Sequence, residues 1–552
     1  MKNRKLCEQS SPMTTPILQD RGVLSRKPSL HDGLLHRDRV ADISFARRTR
    51  DFANLRRVTF SAIDWKPAVV TSMLIIVFVV TRLWRLTAAS LDGDEIFSLI
   101  LSRSSWHALL MGAINDATHP PLFYLLLKLW LGVGGESLLW LRIFPLVVSV
   151  LCLIPFFLLC RSLALQPVAC SLALGIAAVH PEMVFYAQHL RMYGLLMLGG
   201  LISAQCFEAY VRQPSRRRLF ILTVVNLAMV FTHYYGWIVI ALELTCLVWR
   251  RCAWIPMTIT TLLTAVLFSP WPWVAGKVLY AQGLGQHIGW ISKPTVNDFG
   301  WFFVDLAGCT ELPRFRVEAS VVICTALATL LFIYRKRQNT GIRWLAVLAL
   351  APAALAFAVS QWAPQSIWGH RHLIFVFWPF IIVLADCLSQ LPRTALIYVI
   401  LLLGVWAGLT VISQRNDDRK LPWDTLTITL LDKELSQSSV IPLYSADPHL
   451  QYPLWFYLDC LRTSNLGPFG RHLGSRTDLP ELAAKSARFE ITRVSDLRAA
   501  QGRYFWLGYS DSNRTDAIEA SQILHRPGCR MGDAISARDR FHTVTLVPVQ
   551  CW

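Results

Sequence analysis

Charge is scarce in this chain of 552 residues: Asp, Glu, Lys and Arg make up 16% of it, against roughly 25% in ordinary globular domains. Apolar residues reach 54%, Trp alone numbers 21, and the mean hydropathy is +0.41. That balance excludes a soluble cytosolic enzyme and a disordered chain alike, and makes lipid the solvent for much of the protein. The 13 cysteines include no Cys-x-x-Cys and no other metal-type spacing. Most of them, such as Cys152, Cys160, Cys170, Cys206, Cys246 and Cys324, lie in apolar runs, as small core residues do. No apolar stretch stands near residue 10, where a cleavable signal peptide requires one. Internal repeats and paired Gly/Pro-broken spans, the marks of many transporters, are absent from the sequence too.

What the chain does carry is an excess of basic residues, 54 Lys+Arg over 36 Asp+Glu, for a net charge of +18. The excess gathers at the ends of apolar runs and in the first sixty-odd residues, which is how membrane proteins encode orientation; nucleic acid is not the expected partner. Residues 1–66 read as a basic, disordered cytoplasmic arm. Spans are expected at Val69–Leu83 and at about 139–160, 166–185, 190–210, 219–233, 235–249, 254–274, 316–334, 344–362, 373–391 and 394–413. The stretch 219–249 is too long for one helix and is flanked by Arg216–Arg218 and Arg250–Arg251. Two short helices hinged at Thr232–Gly236 keep both basic clusters on one side. The apolar part of 119–133 is short and contains Lys128, so it reads as re-entrant or interfacial. The expected fold is a polytopic α-helical membrane protein of about 11 transmembrane helices over 67–413, N-terminus inside, with a first periplasmic loop at 85–138. Residues 414–552 have soluble composition, with strand-like stretches at Ser439–Leu443, Tyr504–Gly508 and His542–Val549. They are expected to form a small periplasmic α/β domain with the C-terminus outside. Cys309, Cys460, Cys529 and Cys551 fall on the side where disulfides persist; one bridge is expected, its pairing open.

The chemistry-bearing residues then collect on the outer side. The first outer loop begins Ser90-Leu-Asp-Gly-Asp-Glu, and Asp92, Asp94 or Glu95 could serve as a general base or equally as a helix N-cap. Thr118-His-Pro-Pro-Leu-Phe-Tyr124 places His119 at a helix start, either as an anion ligand or as a turn residue. Val179–Tyr193 gathers Tyr186, Gln188, Arg191 and Tyr193 at headgroup level, suited to phosphate or to snorkelling alone. His233-Tyr234-Tyr235 and Trp368-Gly-His-Arg-His372 add two further ends, and Glu243 is the conspicuous acid within the spans.

Taken in order, these stretches resemble the GT-C class of membrane glycosyltransferases, specifically the glycosyltransferase family 39 or protein-mannosyltransferase-like group that includes bacterial lipid A sugar transferases. The motifs that carry the resemblance are Asp94-Glu95, His119-Pro-Pro-Leu-Phe-Tyr124, Tyr186-Ala-Gln-His-Leu-Arg-Met-Tyr193, Thr232-His-Tyr234 and Arg371-His-Leu373, spread over about 67–393. The resemblance implies inverting transfer of a sugar from a polyprenyl-phosphate donor to a glycolipid, glycan or protein acceptor on the periplasmic face of the plasma membrane. Asp94 would be the base, and Glu95 would position the acceptor or support the base. His119, Arg191 and Arg371 would hold the donor phosphate, while Asp92, Tyr124, Tyr186, Gln188, Tyr193, His233 and Tyr234 would line the substrate site. Where relatives have Glu before Ala-Arg-Met-Tyr this chain has His189. No cofactor is expected, and a divalent metal stays open. The rivals are a lipid-linked-sugar transporter, a polyprenyl-phosphate-binding protein without turnover, and an O-antigen-ligase-like enzyme.

Overall fold

The computed structural model describes residues 65–552 except 284–288, 290, 310–338, 416–418, 437–439, 446–447, 471–472, 474–475, 494–503, 512–513, 526 and 540–541. The basic arm (apart from its last two residues) and the span at 316–334 lie outside the described residues.

Among the described residues, five helices are long and apolar enough to cross a membrane: Leu138–Ser162, Tyr193–Arg212, Thr340–Trp362, His370–Leu388 and Arg393–Ile412. A sixth follows if Trp254–Phe268 and Pro270–Ala281, which meet at 50°, form one broken span. Four shorter apolar helices, Ala68–Leu83, Leu122–Gly134, Pro167–Val179 and Gly236–Trp249, accompany them. Two of the expected spans are broken at a proline, which has no N–H to continue a helix and pushes its predecessor out of helical geometry. The run 166–185 therefore breaks at His180, before the helix Pro181–Tyr186, and 254–274 bends at Ser269-Pro270. The hinge in 219–249 is present, with helices Arg216–Thr232 and Gly236–Trp249 on either side of an extended His233.

Two charged groups buried inside the bundle, Glu243 and Arg82, are paired, as a low dielectric requires. Glu243 accepts from Ser203 Oγ at 2.6 Å and from Asn226 Nδ2 at 2.8 Å, joining three helices. Arg82, fully buried, donates to the carbonyls of Ala177 (3.0 Å) and Ala178 (3.2 Å) and to Ser149 Oγ (2.9 Å). The break at His180 leaves those helix-end carbonyls without backbone partners, and a guanidinium supplies them.

The tail holds a mixed sheet. Strands β1 (Ile441–Ser445), β2 (Phe489–Arg493), β3 (Tyr504–Ser510), β4 (Cys529–Met531), β5 (Ile535–Arg538) and β6 (Thr543–Cys551) run in the order β2-β1-β3-β6-β4, with β5 also on β6. The β1–β2 and β1–β3 pairs are parallel, and those with β6 antiparallel. The three strands legible in the sequence are the ones with sustained apolar content; β2, β4 and β5 are short and polar. Helices Trp423–Lys433 and Pro448–Arg462 lie between the sheet and the loop after the first helix. Tyr457 Oη accepts from Leu91 N at 2.9 Å, Ser90 Oγ donates to Leu421 O at 2.9 Å and accepts from Trp423 N at 3.0 Å, and Leu138 N donates to Gly467 O at 2.8 Å. The tail is thus fastened to the start of the first loop.

Cys529 and Cys551 face each other across β4 and β6 and form a disulfide, which resolves the open pairing; Cys309 and Cys460 are free. The bridge closes a loop of 22 residues, worth about 3 kcal/mol in the chain-entropy model. Peptide mass mapping without reduction is expected to find Cys529 joined to Cys551 and Cys460 alkylatable after unfolding; a Cys460-containing crosslink would contradict this pairing.

Candidate active site

The Asp-Gly-Asp-Glu turn performs both roles that its sequence allows. Asp92 is the N-cap of the helix Gly93–Arg103: its Oδ1 accepts from Glu95 N at 2.9 Å, while Glu95 Oε2 accepts from Asp92 N at 3.1 Å. This reciprocal box fixes the first turn. Two of the three carboxylates are used by the cap, and Asp94, between them, is left with its side chain 45% exposed into a cavity.

Glu95 is wholly buried and ringed by cations. Arg142 meets both of its oxygens, and Lys420 Nζ lies 2.6 Å from Oε2. Leu190 N donates to Oε1 at 2.7 Å. Burial alone raises its carboxyl, but Arg142 and Lys420 outweigh that and hold it well below its ordinary value. Arg142, 1% exposed, also donates to the carbonyls of Ala89 (3.2 Å), Ser90 (3.0 Å) and Gln188 (2.6 Å). Glu95 is therefore an anchor that ties the first loop to the helix Leu138–Leu151, to the turn before Tyr193 and to the start of the tail.

Asp94 faces two guanidiniums. Arg371 Nη1 lies 3.0 Å from its Oδ2, and Arg191 Nη1 donates to its backbone carbonyl and to Ser98 Oγ, both at 3.1 Å. Burial raises the Asp94 carboxyl, and Arg191 and Arg371 together outweigh it, holding Asp94 below the usual range. The capping carboxyl of Asp92 behaves oppositely: burial, then the charge of Glu95, pushes it up to about 6.

These groups open onto a cavity of about 940 Å³ whose exposed lining is mainly apolar. Of the residues expected from sequence, it brings together Asp92, Asp94, His119, Arg191, His233, Tyr234 and Arg371. The others sit behind its wall. Tyr124 and Tyr186 are buried, Tyr193 lies with its ring 5.9 Å from the Arg371 guanidinium, and Gln188 is bonded to the carbonyls of Arg82 (2.8 Å) and Trp84 (2.9 Å). The residues that sequence reasoning missed are Arg142, Lys420 and Arg419, the last paired with Glu182 at 2.8 Å. Arg142 had a signal, an isolated charge inside the apolar run 138–151; Lys420 had none in a tail full of charges.

Among the described residues, two sets of side chains are close enough to hold a metal: Asp92, Glu95 and His189, and His119, His233 and His372. The first set already surrounds Lys420, whose Nζ is 3.7 Å from Asp92 and 2.6 Å from Glu95, so its negative charge is matched. In the second, His233 Nδ1 accepts from the Tyr235 backbone N–H at 3.1 Å. A neutral ring then carries its proton on Nε2, the nitrogen that a metal would need bare. Neither set fits a metal as it stands.

No family model matches the sequence, and no curated protein does. Solved structures do match. ArnT from Cupriavidus metallidurans bound to undecaprenyl phosphate superimposes with a TM-score of 0.53 at 12% identity, over 88% of this chain and 98% of that one. This is a GT-C fold. The same enzyme in the apo state gives 0.53 at 12% identity over 87% and 97%. The Archaeoglobus fulgidus oligosaccharyltransferase, in complex with zinc and sulfate, gives 0.42 at 12% identity over 85% and 71%. In this fold the carboxylate after the first apolar helix and the arginine before Tyr193 meet on one cavity wall.

Removing the anchor leaves Arg142 buried without its anion. Glu95→Ala is expected to cost about 3–5 kcal/mol, read as loss of thermal stability in detergent. Because the folded carboxyl lies below its unfolded value, this contribution is full above about pH 4.5 and is lost as pH falls through the folded value. The wild-type minus Glu95→Ala stability difference should therefore shrink on acidification; a difference that grows would contradict the ion-pair account.

Proposed function

We propose that the chain is a membrane glycosyltransferase that moves a sugar from a polyprenyl-phosphate donor to an envelope acceptor, glycolipid, glycan or protein, on the periplasmic face. The observation that carries this reading is the Asp94 carboxylate held by Arg371 beside Arg191 on the wall of a large, mainly apolar cavity. An apolar wall suits a lipid-linked substrate, and two arginine forks suit its phosphate. The GT-C fold, found in an enzyme solved with undecaprenyl phosphate, agrees with that class of donor.

In this mechanism the donor phosphate takes the guanidiniums of Arg191 and Arg371. Drawing Arg371 away removes one of the two charges that keep Asp94 a weak base, so donor binding itself raises its basicity. Asp94 then accepts the proton of the acceptor hydroxyl or amine as the nucleophile attacks the anomeric carbon from the face opposite the phosphate. The bond from the anomeric carbon to the phosphate oxygen breaks with inversion, its electron pair leaving on polyprenyl phosphate. Arg191 and Arg371 stabilise the charge that grows there. Asp92 is a poorer candidate for the base, since its Oδ1 is held by the helix cap.

Asp94→Asn is expected to reduce transfer by at least about a thousandfold while leaving binding of undecaprenyl phosphate intact, measured with membranes and a radiolabelled polyprenyl-phosphate sugar; unchanged transfer would refute the reading. Arg191→Ala should weaken that binding, by about tenfold or more for a lost charged hydrogen bond.

The pH profile separates the two carboxylates. If Asp94 is the base, the acid limb of kcat/KM lies below the ordinary carboxylate range, and Arg371→Ala moves that limb upward, because losing a cation raises the carboxyl. A limb near 6 that ignores Arg371 would assign the base to Asp92 instead.

A further inference from the structure

The three imidazoles on the cavity wall have no task in the steps above. His119 and His233 have ring centroids 5.4 Å apart, and His233 and His372 5.1 Å, with nitrogens of all three within 4.8 Å of one another. All three line the cavity. Their hydrogen bonds fix where the protons sit. The Tyr235 backbone N–H can only donate, so His233 Nδ1 is the acceptor and its proton is on Nε2; that Nε2 is buried and has no partner in the protein. On His119 the order is reversed. The Thr118 hydroxyl gives its proton to the Asp116 carboxylate, so the same oxygen must accept from His119 Nδ1, 2.9 Å away. The proton of His119 is then on Nδ1, and its Nε2 is a bare acceptor. Burial first, and then the charge of Arg191 or of the neighbouring rings, keeps both imidazoles neutral.

A neutral donor and a neutral acceptor of opposite tautomer, side by side, match a group that both accepts and donates one hydrogen bond. Phosphate oxygens do not qualify, since the lone pair of His119 would oppose them. An ammonium does not qualify either, because it cannot accept from His233 and would lie beside Arg191 and Arg371. A hydroxyl does. Resting on the glycosyltransferase reading, we propose that His119 and His233 form a subsite for one hydroxyl of the donor sugar, and that this chain therefore selects a neutral, hydroxylated sugar over an amino sugar or uronate at that position. Phosphate contact falls to Arg191 and Arg371, and His119 serves the sugar. The Asp116–Thr118–His119 relay acts as a positioning device that sets the tautomer.

The test measures binding to the purified full-length chain in detergent. The probes are undecaprenyl phosphate alone, undecaprenyl phosphate carrying glucose or arabinose, and the analogues in which each ring hydroxyl in turn becomes an amine. At least one neutral sugar conjugate is expected to bind about tenfold or more tightly than undecaprenyl phosphate alone, the worth of one or two hydrogen bonds. One of its amine analogues should lose that gain. His119→Ala and His233→Ala should lose it too while binding undecaprenyl phosphate alone as wild type does. His233→Gln, which keeps an amide N–H near the place of Nε2, should recover part of it and guards against a folding artefact. The inference is overturned if both alanine variants lose undecaprenyl phosphate itself, if every amine analogue binds as tightly as its neutral parent, or if the purified chain carries stoichiometric zinc that His233→Ala releases. Failure of the wild type to bind undecaprenyl phosphate at all would instead overturn the donor class, and this subsite with it.

Discussion

A carboxylate sealed from water stays ionised only where opposite charge and hydrogen bonds replace its hydration, and Glu95 obtains both from three distant parts of the chain. Arg142 comes from the helix Leu138–Leu151, Lys420 from the start of the tail, and the Leu190 N–H from the turn before Tyr193. None of these can move without stranding a buried charge. The first turn of the helix Gly93–Arg103 is therefore held at a fixed height, and Asp94, one residue before the anchor, is aimed at the cavity. On the proposed reading, the base is positioned by a neighbour that takes no part in the chemistry.

The same rule organises the surroundings. Arg82 supplies hydrogen bonds to helix-end carbonyls that the His180-Pro181 break leaves bare, and Glu243 joins three helices through Ser203 and Asn226. At the cavity the pairing is less sealed: Arg371 and Asp94 meet at 3.0 Å with both side chains partly exposed, and on the proposed reading an anion competes for the guanidinium. In a cavity lined largely by apolar atoms that exchange acts with little screening. On that reading, ion pairing behind the wall serves structure and ion pairing on it serves function.

Much of this was legible in the sequence because membrane chains separate their chemistry from their solvent-facing apolar runs. Asp94, His119, Arg191, His233 and Arg371 stand at the ends of apolar segments, and all five meet at the cavity. The division of labour within Asp-Gly-Asp-Glu was not legible, since capping and base chemistry call for the same residue types; only the reciprocal bonds of Asp92 and Glu95 single out Asp94. Breaks within the expected spans were not legible where proline interrupts an apolar run, as at Pro181 and Pro270, because hydropathy does not register a bend. Lys420 was invisible for a different reason: its importance comes from burial against Glu95, a contact 325 residues away in sequence. Tautomers were also out of reach, since they depend on which backbone N–H or hydroxyl meets each ring.

The most direct measurement of the central claim is a cryo-electron microscopy structure of the chain with undecaprenyl phosphate. The account predicts phosphate density within hydrogen-bond reach of both Arg191 and Arg371, with the Arg371 contact to Asp94 lengthened and the Asp94 carboxylate facing open space beside the phosphate. Phosphate density elsewhere, with the Asp94–Arg371 pair intact, would contradict it.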